Sequence, residues 1–179
     1  MSKYEKALEQ YRMSPKEASD KSNSWFKKQT LKLNTKSYSA RQIIGREPDG
    51  FEAVSKISVG SMYIFEYRAE HAAKLNYWDR FPLCLPLYGN RTHFTGINLH
   101  YLPPIGRAKV LDVFTDPRTA NALAKSKLMQ PCIKQYIIKN INSKIMQVDS
   151  EDWVGTLMLP IESFIGASSA YVWQESYRK

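Results

Sequence analysis

The sequence predicts an α+β fold: a small antiparallel β-barrel flanked by helices, with a basic helical arm in front of it. Three observations carry this. Residues 61–102 alternate strand signals with turn signals, residues 105–142 carry helical spacing and helix-start signals, and the first 46 residues are densely cationic.

The strand region comes first. In Ser61–Arg68, Met62, Ile64, Glu66 and Arg68 fall on one face and Tyr63, Phe65 and Tyr67 on the other. A period of two with aromatic and β-branched residues is the pattern of a half-buried strand. Pro82 and Pro86 bracket Leu83–Leu85, which predicts a short or edge strand, because proline cannot donate to a ladder. Tyr88-Gly89-Asn90-Arg91 reads as a tight turn, since Gly and Asn tolerate positive φ. Phe94–Leu102 alternates again, with Ile97, Leu99 and Tyr101 on one face and Asn98 and His100 on the other, until Pro103-Pro104 stops it. The economical arrangement is an antiparallel meander bent into a barrel of SH3-like size, from residues 60–102 and 145–160.

Ahead of the strands, Lys3–Tyr11 suits a short amphipathic helix. Ser14-Pro15 opens a second, with Glu17 completing a capping-box pattern. Glu47-Pro48-Asp49-Gly50 is a turn, which divides the chain into an arm, 1–50, and a body, 51–179, with residues 51–59 as a linker into the first strand. Behind the strands, Ile105–Phe114 reads as a helix, Asp116-Pro117 starts another, and Pro131 opens a third with Ile133, Tyr136, Ile137 and Ile141 inward. Ile145–Val148 and Val154–Leu159 read as strands and Ile161–Ile165 as a turn of helix stopped by Gly166. The aromatic tail from Ala167 reads as a docking strap.

Composition narrows the function. The chain has 179 residues, 43% of them hydrophobic, enough for one domain with a real core. Cys84 and Cys132 form no CxxC pair, which argues against a metal site or a disulfide framework and fits a reducing compartment. No apolar run reaches the length of a membrane span and no signal-like segment stands at the start, so the expectation is neither a membrane-spanning nor a secreted protein. The net charge of +9 suggests a polyanionic partner. It is concentrated in two zones. Residues 1–46 hold eleven Lys and Arg against four acids, with Trp25, Phe26 and Tyr38 among them. Residues 107–144 hold eight against two. Cations beside aromatics suit phosphate contact with stacking, but for Trp25 and Phe26 a solvated helix face with the aromatic pair docked on the core is the favoured reading.

Catalytic motifs are missing: no GxSxG, HExxH, Walker loop or Gly-rich dinucleotide turn. The best constellation is Asn98 and His100, with Glu66, His71, Asp79 and His93 near in sequence. A metal-dependent nuclease could use such groups, but polar residues on the wet face of a sheet explain them more simply. Asp79-Arg80 after Tyr77-Trp78 reads as a local ion pair, and Arg80 and His100 are assigned to the fold.

Several segments together resemble a known family: Ser24–Lys28 (SWFKK), Gly60–Tyr67 (GSMYIFEY), Tyr77–Leu83 (YWDRFPL) and Gly96–Pro104 (GINLHYLPP), continued by Arg107–Asp112 and Trp153–Phe164. They are similar to virion proteins of T4-like tailed bacteriophages identified as DNA-end protectors. The match covers about half the chain, and YWDRFPL and GINLHYLPP are its distinctive runs. The resemblance implies a non-enzymatic virion component without a cofactor. Such a protein binds the termini of the packaged double-stranded genome, shields them from host exonuclease, and contacts other head, neck or tail proteins. The expected phosphate contacts, without sequence readout, are Lys27, Lys28, Lys32, Arg41, Lys125, Lys127, Lys134 and Lys139. The rival expectation is a tail, baseplate or neck assembly protein acting through protein contacts alone, and a nuclease ranks last.

Overall fold

The computed structural model describes residues 3–13, 51–54, 56–114, 119, 122–123, 125–158 and 162–177. Its centre is a six-stranded sheet, antiparallel at every pairing, of β1 (Phe51–Val54), β2 (Met62–Ile64), β4 (Leu83–Gly89), β5 (His93–Asn98), β6 (Ile133–Ile137) and β7 (Ile145–Val148), in the order β1-β7-β2-β4-β5-β6. A two-stranded ribbon joins β3 (Trp78–Asp79) to β8 (Phe164–Ile165). Among the described residues three helices with complete bounds accompany it: α1 (Lys3–Met13), α2 (Pro104–Phe114) and α3 (Ser169–Tyr177). The α+β class is therefore as expected, but the expected SH3-like barrel does not close. β1 and β6 are the two ends of the sheet and do not pair with each other.

Two elements that the sequence reading assigned otherwise lengthen the sheet at both edges. Residues 51–54, expected as linker, are strand β1 on β7, with Phe51 opposite Val148 and Val54 opposite Ile145. Residues 133–137, expected as helix, are strand β6, paired with β5 from His93 opposite Ile137 to Ile97 opposite Ile133. Ile133, Tyr136 and Ile137 are spaced for a helix face, but β-branched and aromatic residues also suit a strand, and the open edge of β5 decides between the two. Pro131 lies inside a 3₁₀ segment, Lys127–Cys132, that leads into β6.

The alternation in 62–67 is real. Met62 and Ile64 belong to one buried cluster, Tyr63, Phe65 and Tyr67 to a second. The strand itself is shorter than the pattern, because β2 ends at Ile64 and only a single bridge, Tyr67 to Ile141, continues the pairing. β4 is central rather than at an edge. Its Pro86 is tolerated because β2 reaches only Leu83 and Cys84, and the β4–β5 register shifts between Pro86 and Tyr88. The turn after β4 forms as expected: Asn90 Oδ1 accepts from the backbone N–H groups of Thr92 and His93, at 2.9 and 3.0 Å. β7 also forms as expected. Residues 155–158 are 3₁₀ rather than strand, and Phe164–Ile165 is strand rather than helix, turned by Gly166 at φ +90°.

The two clusters define two layers. The larger takes Tyr4 and Leu8 from α1, Ala108, Val110, Leu111 and Phe114 from α2, and Val172 from α3, so all three helices cover this face. The first turn of α1 is held by α2: Tyr4 N donates to Asp112 Oδ1 at 2.9 Å. A carboxylate at a helix N-terminus accepts orphan N–H groups and meets the positive end of the dipole. The smaller cluster holds Tyr63, Phe65, Tyr67, Cys84, Phe94 and Tyr136. Phe65 and Tyr67 meet Tyr136 edge-on at 5.3 and 5.0 Å, while Phe94 stacks on it at 5.2 Å. Such pairs add about 0.5–1.5 kcal/mol each beyond their burial. No described α-helix contributes to this cluster; the described residues over it lie in loops and short 3₁₀ turns.

Candidate nucleic-acid interface

Among the described residues four loops lie on the side of the smaller cluster: residues 56–60, 66–76, 90–92 and 138–144. Hydrogen bonds lock them together. Arg68 N donates to Asn140 O at 3.1 Å, Asn142 N to Glu66 O at 2.8 Å, and Ile138 N to Thr92 O at 2.9 Å. Glu66 N donates to Ser143 Oγ at 2.8 Å. Lys56 and Ile57 share a cleft with Tyr88, Arg91, Ile138 and Ile145, which brings the first loop to the hairpin turn. The loops are thus one surface, carried on the sheet face opposite the helices.

That surface is basic. Lys56, Arg68, Lys74, Arg91, Lys139 and Lys144 are all exposed on it. Its acids are Glu66 and Glu70, and each meets a cation. Glu66 accepts from Arg80 at 2.8 Å, and Glu70 lies 3.4 Å from Lys139. Glu66 is buried under Arg80, whereas Lys139 and Glu70 form an exposed pair, which contributes little to stability, about 0–1 kcal/mol, so the charge matters for what the face attracts. Tyr88, 60% exposed at the hairpin, places an aromatic ring among the cations.

Of the eight residues expected to contact phosphate, Lys27, Lys28, Lys32 and Arg41 lie outside the described residues, as does the helix expected from Ser14. Lys139 sits in the loop surface. Lys134 is on β6, its ammonium 4.1 Å from the centre of the Tyr101 ring. Lys125 and Lys127 are exposed on the approach to β6. Lys56, Arg68, Lys74, Arg91 and Lys144 were missed. Each lies between strands, and only Lys144 belongs to one of the two basic zones read from the sequence. The available signal was local at Lys56, Arg91 and Lys144, which stand beside Ser55, Asn90 and Ser143; Arg68 was read as the end of a strand.

The expected polar constellation divides. Asp79, Asn98 and His100 do come together, but inside the protein rather than on a wet face. Their exposures are 4%, 1% and 0%. Asn98 Nδ2 donates to Asp79 Oδ2 at 2.9 Å, and His100 Nδ1 meets the same oxygen at 2.8 Å. Phe81 N donates to Asp79 Oδ1 at 3.1 Å. Burial opposes the charge on Asp79, yet His100 and these hydrogen bonds hold its carboxyl below the ordinary range. Glu66, His71 and His93 are elsewhere: Glu66 is engaged by Arg80, His71 is exposed, and His93 lies beside Asn90 and Thr92. Among the described residues no group of three His, Cys, Asp or Glu is placed to hold a metal. Burial pushes the Cys84 thiol well up and Cys132 to about 12, so both are protonated at neutral pH.

A second buried charge braces this region. Arg107, 1% exposed, donates to the carbonyls of Leu99, Leu102 and Leu157 at 3.0, 2.9 and 3.1 Å and pairs with Glu162. Trp173 Nε1 donates to His100 O at 2.9 Å, which fastens α3 to the same turn.

Compared with known families, the chain matches the model of the phage T4 terminal DNA protecting protein over residues 2–179. The chain belongs to that family. Its function is the protection of DNA ends, and it is a bacteriophage protein, as the resemblance in the sequence implied. Neither the curated proteins nor the solved structures give a match. The Asp79–His100 pair is buried, apart from the basic loop face. No described helix is long and apolar enough to cross a membrane.

Proposed function

We propose that the protein is a non-enzymatic virion component that binds the termini of the packaged double-stranded genome through phosphate contacts, without base-specific readout, and contacts other head, neck or tail proteins. It acts in the particle and, during infection, in the host cytoplasm, with no small-molecule substrate and no membrane. The observation that carries the reading is the gathering of six exposed cations on one loop surface against two acids, Glu66 held by Arg80 and Glu70 by Lys139, one of the six. Lys125, Lys127 and Lys134 extend this surface, which already holds Lys139, along and around β6, and Lys27, Lys28, Lys32 and Arg41 belong to the basic 1–50 arm in front of the 51–179 body. Contacts to phosphate fix position without reading sequence, as protection of an end requires.

The test is equilibrium binding of linear duplex DNA across a salt series. Each neutralised phosphate contributes about 0.9 to the slope of log K against log salt, so six contacts give a slope of about −5. Replacing Lys56, Arg91 and Lys144 with Gln lowers the slope by about 3. A salt-independent affinity would refute the proposal. Indifference to DNA, together with a stoichiometric complex with another virion protein, would be the behaviour of an assembly protein.

A further inference from the structure

We infer that the cleft between the 69–78 segment and β6 receives an unpaired nucleobase at the end of a DNA strand. This rests on the DNA-end reading above and adds to it the means of telling an end from duplex interior, which phosphate contacts alone do not supply.

The cleft has a volume of about 350 Å³, at the small end for a ligand site, and suits one nucleotide rather than a duplex. Its walls are aromatic: Tyr67, Tyr77, Trp78, Tyr101 and Tyr136. The rings are held in place beforehand. Tyr67 meets Tyr136 edge-on at 5.0 Å. Tyr77 is braced by Tyr101, Phe164 and Tyr171 at 6.1, 6.3 and 6.1 Å. Tyr77 and Trp78 are only half-buried, so part of their surface remains open, and Leu75, 47% exposed, leaves an apolar side chain uncovered in the lining.

Charge selects the ligand class. The lining carries the Lys134 ammonium, fixed over Tyr101, but also the carboxylate of Glu70, while the Asp79 carboxylate is buried on His100 and Asn98. A mixed set of this kind does not concentrate a bare phosphate. It suits a neutral planar group whose adjoining phosphate lies toward Lys134, with Glu70, His71 and Gln135 offering partners to the base edge. Stacking on aromatic rings is tolerant of sequence, because every base has a π-face. A base inside a duplex must first be unpaired and unstacked to enter, whereas an unpaired terminal base enters without that cost.

The experiment compares four DNAs with one duplex sequence: a closed circle, a blunt linear duplex, a linear duplex with one unpaired terminal nucleotide, and the same with an abasic residue at that position. The base-bearing overhang should bind about tenfold more tightly than the abasic one. Leu75→Glu, at an exposed position, should bring that ratio to one. Gln135→Glu on β6 is the second variant, and Lys109→Ala, on α2, should keep the ratio. Equal affinity for the base-bearing and abasic ends, in a protein that still binds linear duplex, overturns the cleft while leaving the end-binding reading intact. A ratio unchanged in both Leu75→Glu and Gln135→Glu also overturns it. Failure to bind any linear DNA overturns the end-binding reading itself.

Discussion

Replacing Arg107 with Met tests the account of how the region under the cleft is held. The guanidinium is 1% exposed and ties three carbonyls and Glu162 from two stretches of the chain, 99–102 and 157–162. Methionine keeps the apolar stem and removes every donor. Removing one partner of a buried ion pair costs about 3–5 kcal/mol, because the remaining charge stays buried without its counter-ion. Each carbonyl left without a partner adds about 1–3 kcal/mol, although Leu99 O also accepts from Leu102 N at 3.0 Å and is the least affected. Taking about 3–5 kcal/mol as the minimum, and about 2–4 °C per kcal/mol for a chain of this length, the thermal midpoint falls by about 6–20 °C. Thermal unfolding followed by circular dichroism reads this directly. Adding Glu162→Gln to Arg107→Met should recover part of the loss, because the stranded carboxylate is then gone. A midpoint within about 2 °C of the parent, which is under about 1 kcal/mol, would refute the role given to Arg107.

Two further outcomes follow from the core. At Gly96 a Cβ would lie 2.4 Å from Cys84 Sγ and 2.8 Å from Leu85 O. Gly96→Ala should therefore destabilise by about 1–3 kcal/mol, read as a lower urea midpoint, and an unchanged midpoint would show the strands free to separate. Asp79 and Glu162 both have carboxyls held below their ordinary values of 3.8 and 4.5, against the effect of burial, by His100 and by Arg107 respectively. A carboxyl lowered on folding stabilises above its unfolded value, and that contribution is lost as pH falls through the folded one. Stability should thus decline on acidification from about pH 4.5 downward, and Asp79→Asn should make the decline shallower while lowering stability at neutral pH. An identical acid limb in Asp79→Asn would contradict the assignment.

How far the sequence could be read depended on whether local pattern and tertiary demand agreed. In 62–67 they agree: alternate residues enter the two clusters that the period of two predicts. In 133–137 they compete, because Ile133, Tyr136 and Ile137 satisfy a helical face as well as a strand, and only the unpaired edge of β5 settles the matter. The barrel failed for the same reason. With 51–54 read as linker and 133–137 as helix, the remaining strands invited closure; as strands they extend an open sheet instead. The site divided likewise. Net charge pointed to a polyanion, but the loop cations Lys56, Arg91 and Lys144 are far apart in sequence and meet only through the fold. The proximity of Asp79, Asn98 and His100 was partly visible in sequence. Their burial was not, since it depends on β3, the 99–101 turn and α3 packing together.

The most direct test of the central claim is protection of linear duplex from a processive exonuclease, at several salt concentrations and with circular DNA as competitor. The account predicts protection that survives the circular competitor and weakens steeply as salt rises. Digestion at low salt as fast as in the absence of the protein would contradict it.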